Sequence, residues 1–263
     1  MTYWTLERFD AVGVATFTRP PRNLMSMAAM TELEQLVAEV AADAAIRVLV
    51  LTGGVPGYFV AHADVDDLAA LGRGEPVEGD PGSWARTLAA LGAMPQPVVA
   101  AIDGQAWGGG NELALACTLR VASDRAHFGQ PEVAVAIIPG AGGTQRLPRL
   151  IGLGRAADLV LSGRIIEAEE ALRIGLVEAV LPHDRFLERV LEWVTPIARH
   201  DPKAVQSAKR ALLDGIALPL DEGLRLEGRL FFECQMRPEA VDAEKRAADA
   251  ERNAPSDQRV ILG

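Results

Sequence analysis

Trp107-Gly108-Gly109-Gly110-Asn111-Glu112-Leu113 is the stretch on which the reading of this chain turns, and Phe128-Gly129-Gln130-Pro131-Glu132 is its companion. The first follows the apolar run Val98-Val99-Ala100-Ala101-Ile102 and the bend Asp103-Gly104, and it opens a helical pattern reaching Cys117. Amides at a helix start are unpaired and lie at the positive end of the helix dipole. Glycines let another group approach that backbone closely. Such a turn suits a developing oxyanion as well as a plain strand-to-helix connection. The companion stretch carries a second carboxylate, Glu132, beside Pro131 in a non-helical segment, followed by the apolar Val133–Ile138. A carboxyl against an apolar wall has a raised pKa and can give or take a proton.

Outward from these motifs, the first two-thirds of the chain alternate strands and helices. Residues 3–18 pattern as a hairpin turning at Asp10-Ala11. Ser26 is an N-cap for a helix to about Ala44, with Met30, Leu33, Leu36, Val37 and Val40 at helical spacing. Arg47–Thr52 and Val98–Ile102 are continuous apolar runs, as in strands covered on both faces. Residues 72–83, rich in Gly, Pro and acid, pattern as a mobile surface segment before a helix from Trp84 to Leu91. Short strands are expected around Leu119–Ala122 and His127-Phe128, and beyond Thr144 the chain turns mostly helical. Asp201-Pro202 starts one helix, and residues 219–252 form one or two more. The pattern predicts an α/β core over 1–200 and a helical region over 201–263.

Composition sets further bounds. A chain of 263 residues can bury a full core, and 49% hydrophobic with 24% charged residues is ordinary for a globular protein. With a net charge of -10 and no dense basic block, nucleic acid is not expected as a partner. No apolar stretch approaches the ~18 residues of a membrane span, and the N-terminus lacks the pattern of a signal peptide. Cys117 and Cys234 have no zinc-type spacing, and Cys117 sits in an apolar run. A cytoplasmic location is therefore expected. Phosphate-loop, GxGxxG, HExxH and GxSxG motifs are absent, and the four histidines are scattered, so no metal centre is expected.

Taken together, the two motifs and the string Ile138-Pro139-Gly140-Ala141-Gly142-Gly143-Thr144-Gln145-Arg146-Leu147 resemble the enoyl-CoA hydratase/isomerase (crotonase) family, over roughly residues 1–215. The resemblance implies a crotonase-like spiral of ββα repeats with a helical C-terminal trimerisation region. It implies an acyl-CoA thioester as ligand, with coenzyme A present only as part of the substrate and no other cofactor. It implies assembly as a homotrimer or a dimer of trimers. It maps oxyanion-hole amides onto Ala61 and Gly109, and the two carboxylates of a hydratase onto Glu112 and Glu132. Many relatives keep only one of those carboxylates, so the pair favours water addition to a trans-2-enoyl-CoA. Arg22, His62, Ala63, Asp64 and Gly140 fall where relatives contact the substrate or its CoA.

Two departures stand out. His62 replaces the usual glycine, and it either fills space, or narrows the acyl pocket or donates a hydrogen bond there. Val65-Asp66-Asp67 is acidic where a lysine is common. Two other readings stay open on sequence: a Δ3-Δ2-enoyl-CoA isomerase, suggested by Pro20-Pro21-Arg22-Asn23, and a non-catalytic acyl-CoA-binding protein, suggested by His62.

Overall fold

The computed structural model describes residues 2–253, which fall into two compact units divided between Ala198 and Arg199. The first unit opens with the hairpin β1 (Trp4–Phe9) and β2 (Val12–Phe17), turned at Asp10 with φ 51°. Helix α1 (Met27–Ala42) follows, its first turn capped by the Ser26 side chain on the Ala29 amide. Then come β3 (Val48–Gly53), α2 (Val65–Gly72), α3 (Ser83–Ala93), β4 (Val98–Ile102), β5 (Gln105–Trp107) and α4 (Gly109–Ala116). Strands β6 (Leu119–Ser123) and β7 (His127–Gly129) lead into a 3-10 turn at Pro131–Val135. The unit closes with α5 (Gly143–Ile151), α6 (Leu153–Ser162), β8 (Ile165–Glu167), α7 (Ala168–Ile174), β9 (Ala179–Leu181) and α8 (Phe186–Arg199).

The strands form two sheets, ordered β1-β2-β3-β4-β6-β9 and β5-β7-β8. The chain steps from the first sheet to the second through a tight bend, and Asp103-Gly104 shows why glycine is needed. Gly104 has φ 114°, and a Cβ there would sit 2.0 Å from the Gly57 carbonyl oxygen. Strand, bend, strand and helix then repeat, which is the ββα spiral expected from the resemblance. Alternation along the central strands feeds two cores. Val14, Val48, Val50, Val99 and Val121 face α8 through Phe186, Val190 and Val194. Phe17, Leu49, Leu51, Ala100 and Ile102 face the other way, into a cluster with Met30, Leu33 and Val37 of α1 and Leu113 of α4.

The structure refines the expectations in three places. Residues 72–83 were expected as a mobile surface segment, yet they are tied to α1. The Asp80 amide donates to Thr31, and Arg86 bridges Asp80 and Glu34 at 2.6 Å each. The region after Thr144 holds β8 and β9 as well as helices; strands of three residues are too short to leave a period-two signature. Glu132 stands in the 3-10 turn, set by Pro131 at its first position and ended by Ala136 with φ 63°.

The second unit is helical, with α9 (Pro202–Gly215), α10 (Leu220–Gln235) and α11 (Pro238–Asn253). Asp201 caps α9 by accepting from the Ala204 amide at 2.9 Å, and Arg237 pairs with it at 2.7 Å. Among the described residues no helix is long and apolar enough to cross a membrane.

One buried side chain joins the early loop to the site-bearing segment. Asn23, with φ 55°, donates from Nδ2 to the carbonyls of Phe17 at 3.0 Å and Phe59 at 2.7 Å, and its Oδ1 accepts from the Arg19 amide. Replacing Asn23 by alanine removes these bonds at a fully buried position. Urea unfolding of Asn23→Ala should show a loss of about 3 kcal/mol, the scale of several buried groups left unpaired.

Candidate active site

The start of α4 lies against the segment that follows β3. A Cβ on Gly110 would sit 1.9 Å from the Val60 carbonyl oxygen, and one on Gly109 would sit 3.2 Å from the Ala63 nitrogen. No larger residue fits at either place, so the glycine run is a packing requirement as well as a turn. Gly109 is the first residue of the helix, and neither its amide nor that of Ala63 has a hydrogen-bond partner among the described residues. The two N–H groups flank one cavity of about 490 Å³, whose wall includes both residues.

Here the assignment of an oxyanion amide to Ala61 is corrected. Ala61 is buried, its N–H donates to the Asn23 carbonyl at 3.1 Å, and its carbonyl accepts from the Trp107 amide at 3.0 Å. Its backbone is spent on the fold and takes no part in the cavity wall. Two residues on, Ala63 is the one whose amide remains available.

Glu112 projects from the first turn of α4 and is 3% exposed. Its Oε1 accepts two backbone bonds, from Ala141 and Gly143, each at 2.7 Å. The loop Gly140–Gly143 thus folds around this carboxylate, and Gly140 and Ala141 join the cavity wall. Burial raises the Glu112 pKa, opposed by the two amides and the Arg146 charge. Arg146 in turn holds the loop by donating to the Ala141 carbonyl at 3.0 Å.

Glu132 reaches the same cavity from the 3-10 turn. Its carboxyl lies beside Gly108, where a Cβ would be 3.1 Å from Oε1. Both carboxyl oxygens are buried without a hydrogen-bond partner on another residue among those described. Burial, reinforced by the Glu112 charge and opposed by its own backbone N–H, pushes this group up to about 7. An unsatisfied buried carboxyl is costly unless it is protonated or meets a polar partner.

The remaining candidates divide. His62 lines the cavity, and its Nδ1–H donates to the Ala63 carbonyl at 2.7 Å. It is absent from the residues of positive φ, so replacing glycine here brings no backbone strain. Asp64 is corrected from substrate contact to structural anchor. It caps α2 through the Asp66 amide and pairs with Arg19 at 2.6 Å, which occupies both of its oxygens. Arg22 is exposed on its loop and forms no part of the cavity wall. The rest of the wall is apolar: Ile137 and Ile138 come from the apolar run noted after Glu132, whereas Met27 of α1, Leu68 of α2 and Trp84 of α3 carry no motif in the sequence. These residues sit far apart in the chain, and each reads locally as ordinary core.

The electrostatics can be checked on the folded protein. Carboxyl titration should show a group near pH 7 that vanishes in Glu132→Gln and moves down in Glu112→Gln, because the Glu112 charge helps raise it. A carboxyl whose folded pKa is raised favours the folded state below its unfolded pKa, and that contribution is lost as pH rises through about 7. Glu132→Gln should therefore raise the melting temperature at pH 8 and leave it unchanged at pH 4.

Comparison with known proteins gives the family. The family model described as enoyl-CoA hydratase/isomerase matches residues 7–253. The short-chain-enoyl-CoA hydratase of Clostridium acetobutylicum is 35% identical over 94% of this chain and 97% of its own length. The 2,3-dehydroadipyl-CoA hydratase of Escherichia coli is 40% identical over 88% of this chain and 89% of its own. A crystal structure of an enoyl-CoA hydratase from Bacillus anthracis superposes with a TM-score of 0.87 at 35% identity, over 97% of this chain and 98% of that one. The chain belongs to the enoyl-CoA hydratase/isomerase family.

Proposed function

We propose that this protein is an enoyl-CoA hydratase that adds water across the C2–C3 double bond of a trans-2-enoyl-CoA. The observation that carries the reading is the pair of buried carboxyls, Glu112 and Glu132, on one cavity wall beside the unpartnered amides of Ala63 and Gly109. The thioester carbonyl would accept from those two amides, which stabilise charge as it moves onto oxygen. Loss of one such donor costs about 10²–10³ in rate. A water held between the carboxyls gives one proton to the ionised glutamate while its oxygen bonds to C3. The double-bond electrons move to form the enolate, and the protonated glutamate delivers a proton to C2. One carboxyl must be charged and the other neutral at the start. Glu132 at about 7 and a raised Glu112 fit a coupled pair that shares one proton. The thioester itself acidifies C2, so the reading calls for no metal or redox cofactor.

The wall also bears on the acyl group. Among the described residues, His62, Glu112 and Glu132 are its ionisable members, and no lysine or arginine lies in it. An acyl tail ending in a carboxylate would be buried without a counter-charge, at a cost of several kcal/mol. An uncharged aliphatic tail is favoured. We further propose assembly as trimers or pairs of trimers, supported by large apolar side chains exposed in the helical unit, among them Ile216, Leu220, Phe232 and Met236.

A spectrophotometric screen against saturated, 2-enoyl and 3-enoyl thioesters tests the reading, since hydration, isomerisation and inert binding give different outcomes. Crotonyl-CoA should be hydrated, and Glu112→Gln and Glu132→Gln should each lower kcat about 10²-fold or more. Full activity in either variant would reject the two-carboxylate mechanism. A dicarboxylic 2-enoyl-CoA should show a kcat/KM about tenfold or more below that of crotonyl-CoA.

A further inference from the structure

Trp107 and His127 form a pair outside the carboxylate machinery. They stand on neighbouring strands, β5 and β7, in parallel pairing. Trp107 lines the cavity, whereas His127 is half-buried and forms no part of its wall. Trp107 Nε1 donates to His127 Nδ1 at 3.0 Å, and the ring centroids are 5.4 Å apart at 58°. An indole N–H can only donate, so Nδ1 must accept, and the neutral ring carries its proton on Nε2. The Trp107 main chain is fixed by the hydrogen bond that its N–H donates to the Ala61 carbonyl, so the indole orientation is the freedom that remains.

We propose that His127 is a positioning residue: by accepting the Trp107 N–H it holds the indole as a wall of the acyl cavity and thereby sets which acyl groups the site admits. This rests on the cavity being the acyl site. Protonation of His127 would turn Nδ1 into a donor, abolish the bond and release the indole. Burial keeps the imidazole pKa below its ordinary value, opposed by Glu167. Glu167 faces His127 across the β7–β8 pair, and uncharged Gln105 faces it on β5. The neutral, accepting form is therefore the one present at pH 8.

Two measurements test this. The first is the ratio of dissociation constants for butanoyl-CoA and decanoyl-CoA, saturated thioesters that bind without reacting, at pH 8. His127→Phe, which keeps an aromatic ring but has no acceptor, should change the ratio about threefold, within the range one neutral hydrogen bond supports. His127→Asn, whose amide oxygen can accept, should restore it in part. In a Trp107→Phe background His127→Phe should change nothing, because the partner through which it acts is gone. The second needs no change at His127. The tryptophan emission of the wild type should fall as pH drops from 8 to 5, since a protonated imidazole quenches a neighbouring indole, and Trp107→Phe should remove that step. An unchanged ratio in His127→Phe, an equal change in both backgrounds, or an emission step that survives Trp107→Phe would each overturn the inference. Binding with unchanged discrimination would overturn it alone, whereas failure of both thioesters to bind the wild type would overturn the reading of the cavity as well.

Discussion

The approach of the α4 backbone to the segment after β3 is the constraint on which the site depends. At Gly110 the helix passes so near the Val60 carbonyl that a single methyl group would collide with backbone. That contact brings the first amide of the helix beside Ala63 and turns Glu112 inward. Val60 and Ala61 beside it are buried, and the Ala61 backbone is engaged by Asn23 and Trp107. Close packing, rather than a long-range charge effect, brings two unpartnered amides together on one cavity wall.

The two carboxyls are supported in opposite ways. Glu112 is over-determined: it is buried in a helix and held by two amides of a loop that Arg146 braces from outside. Glu132 is under-satisfied, standing in a 3-10 turn with no donor to its carboxyl from another residue among those described. Such an asymmetry separates proton affinities within a pair of identical side chains. It also leaves one group free to engage a small polar molecule, while the other is held rigid.

Much of this was legible in the sequence wherever the physical reason is local. The glycine run, the cap at Ser26, the covered strands and the helix start at Asp201-Pro202 each write their own signature within a few residues. The confusion of Ala61 with Ala63 shows the limit. Both are small residues on the same side of an extended segment, and only the distant Asn23 carbonyl decides which amide is consumed. Asp64 is another case: its cap on α2 is local, but its partner Arg19 lies in a different loop, so the ion pair has no local trace. The apolar wall is similar, because Met27, Leu68 and Trp84 come from three helices and meet only through the spiral.

The anchoring of residues 72–83 has a consequence for how such a catalyst can diversify. That segment joins α2 to α3, supplies Pro81 to the cavity wall, and is fastened to α1 by Thr31 and Glu34. None of those fasteners touches either glutamate or the paired amides. Substitutions in this stretch would reshape the chamber wall at Pro81 without altering a residue that holds either glutamate. Selectivity and chemistry are therefore separable traits in this architecture, open to independent variation over a lineage or in a directed library.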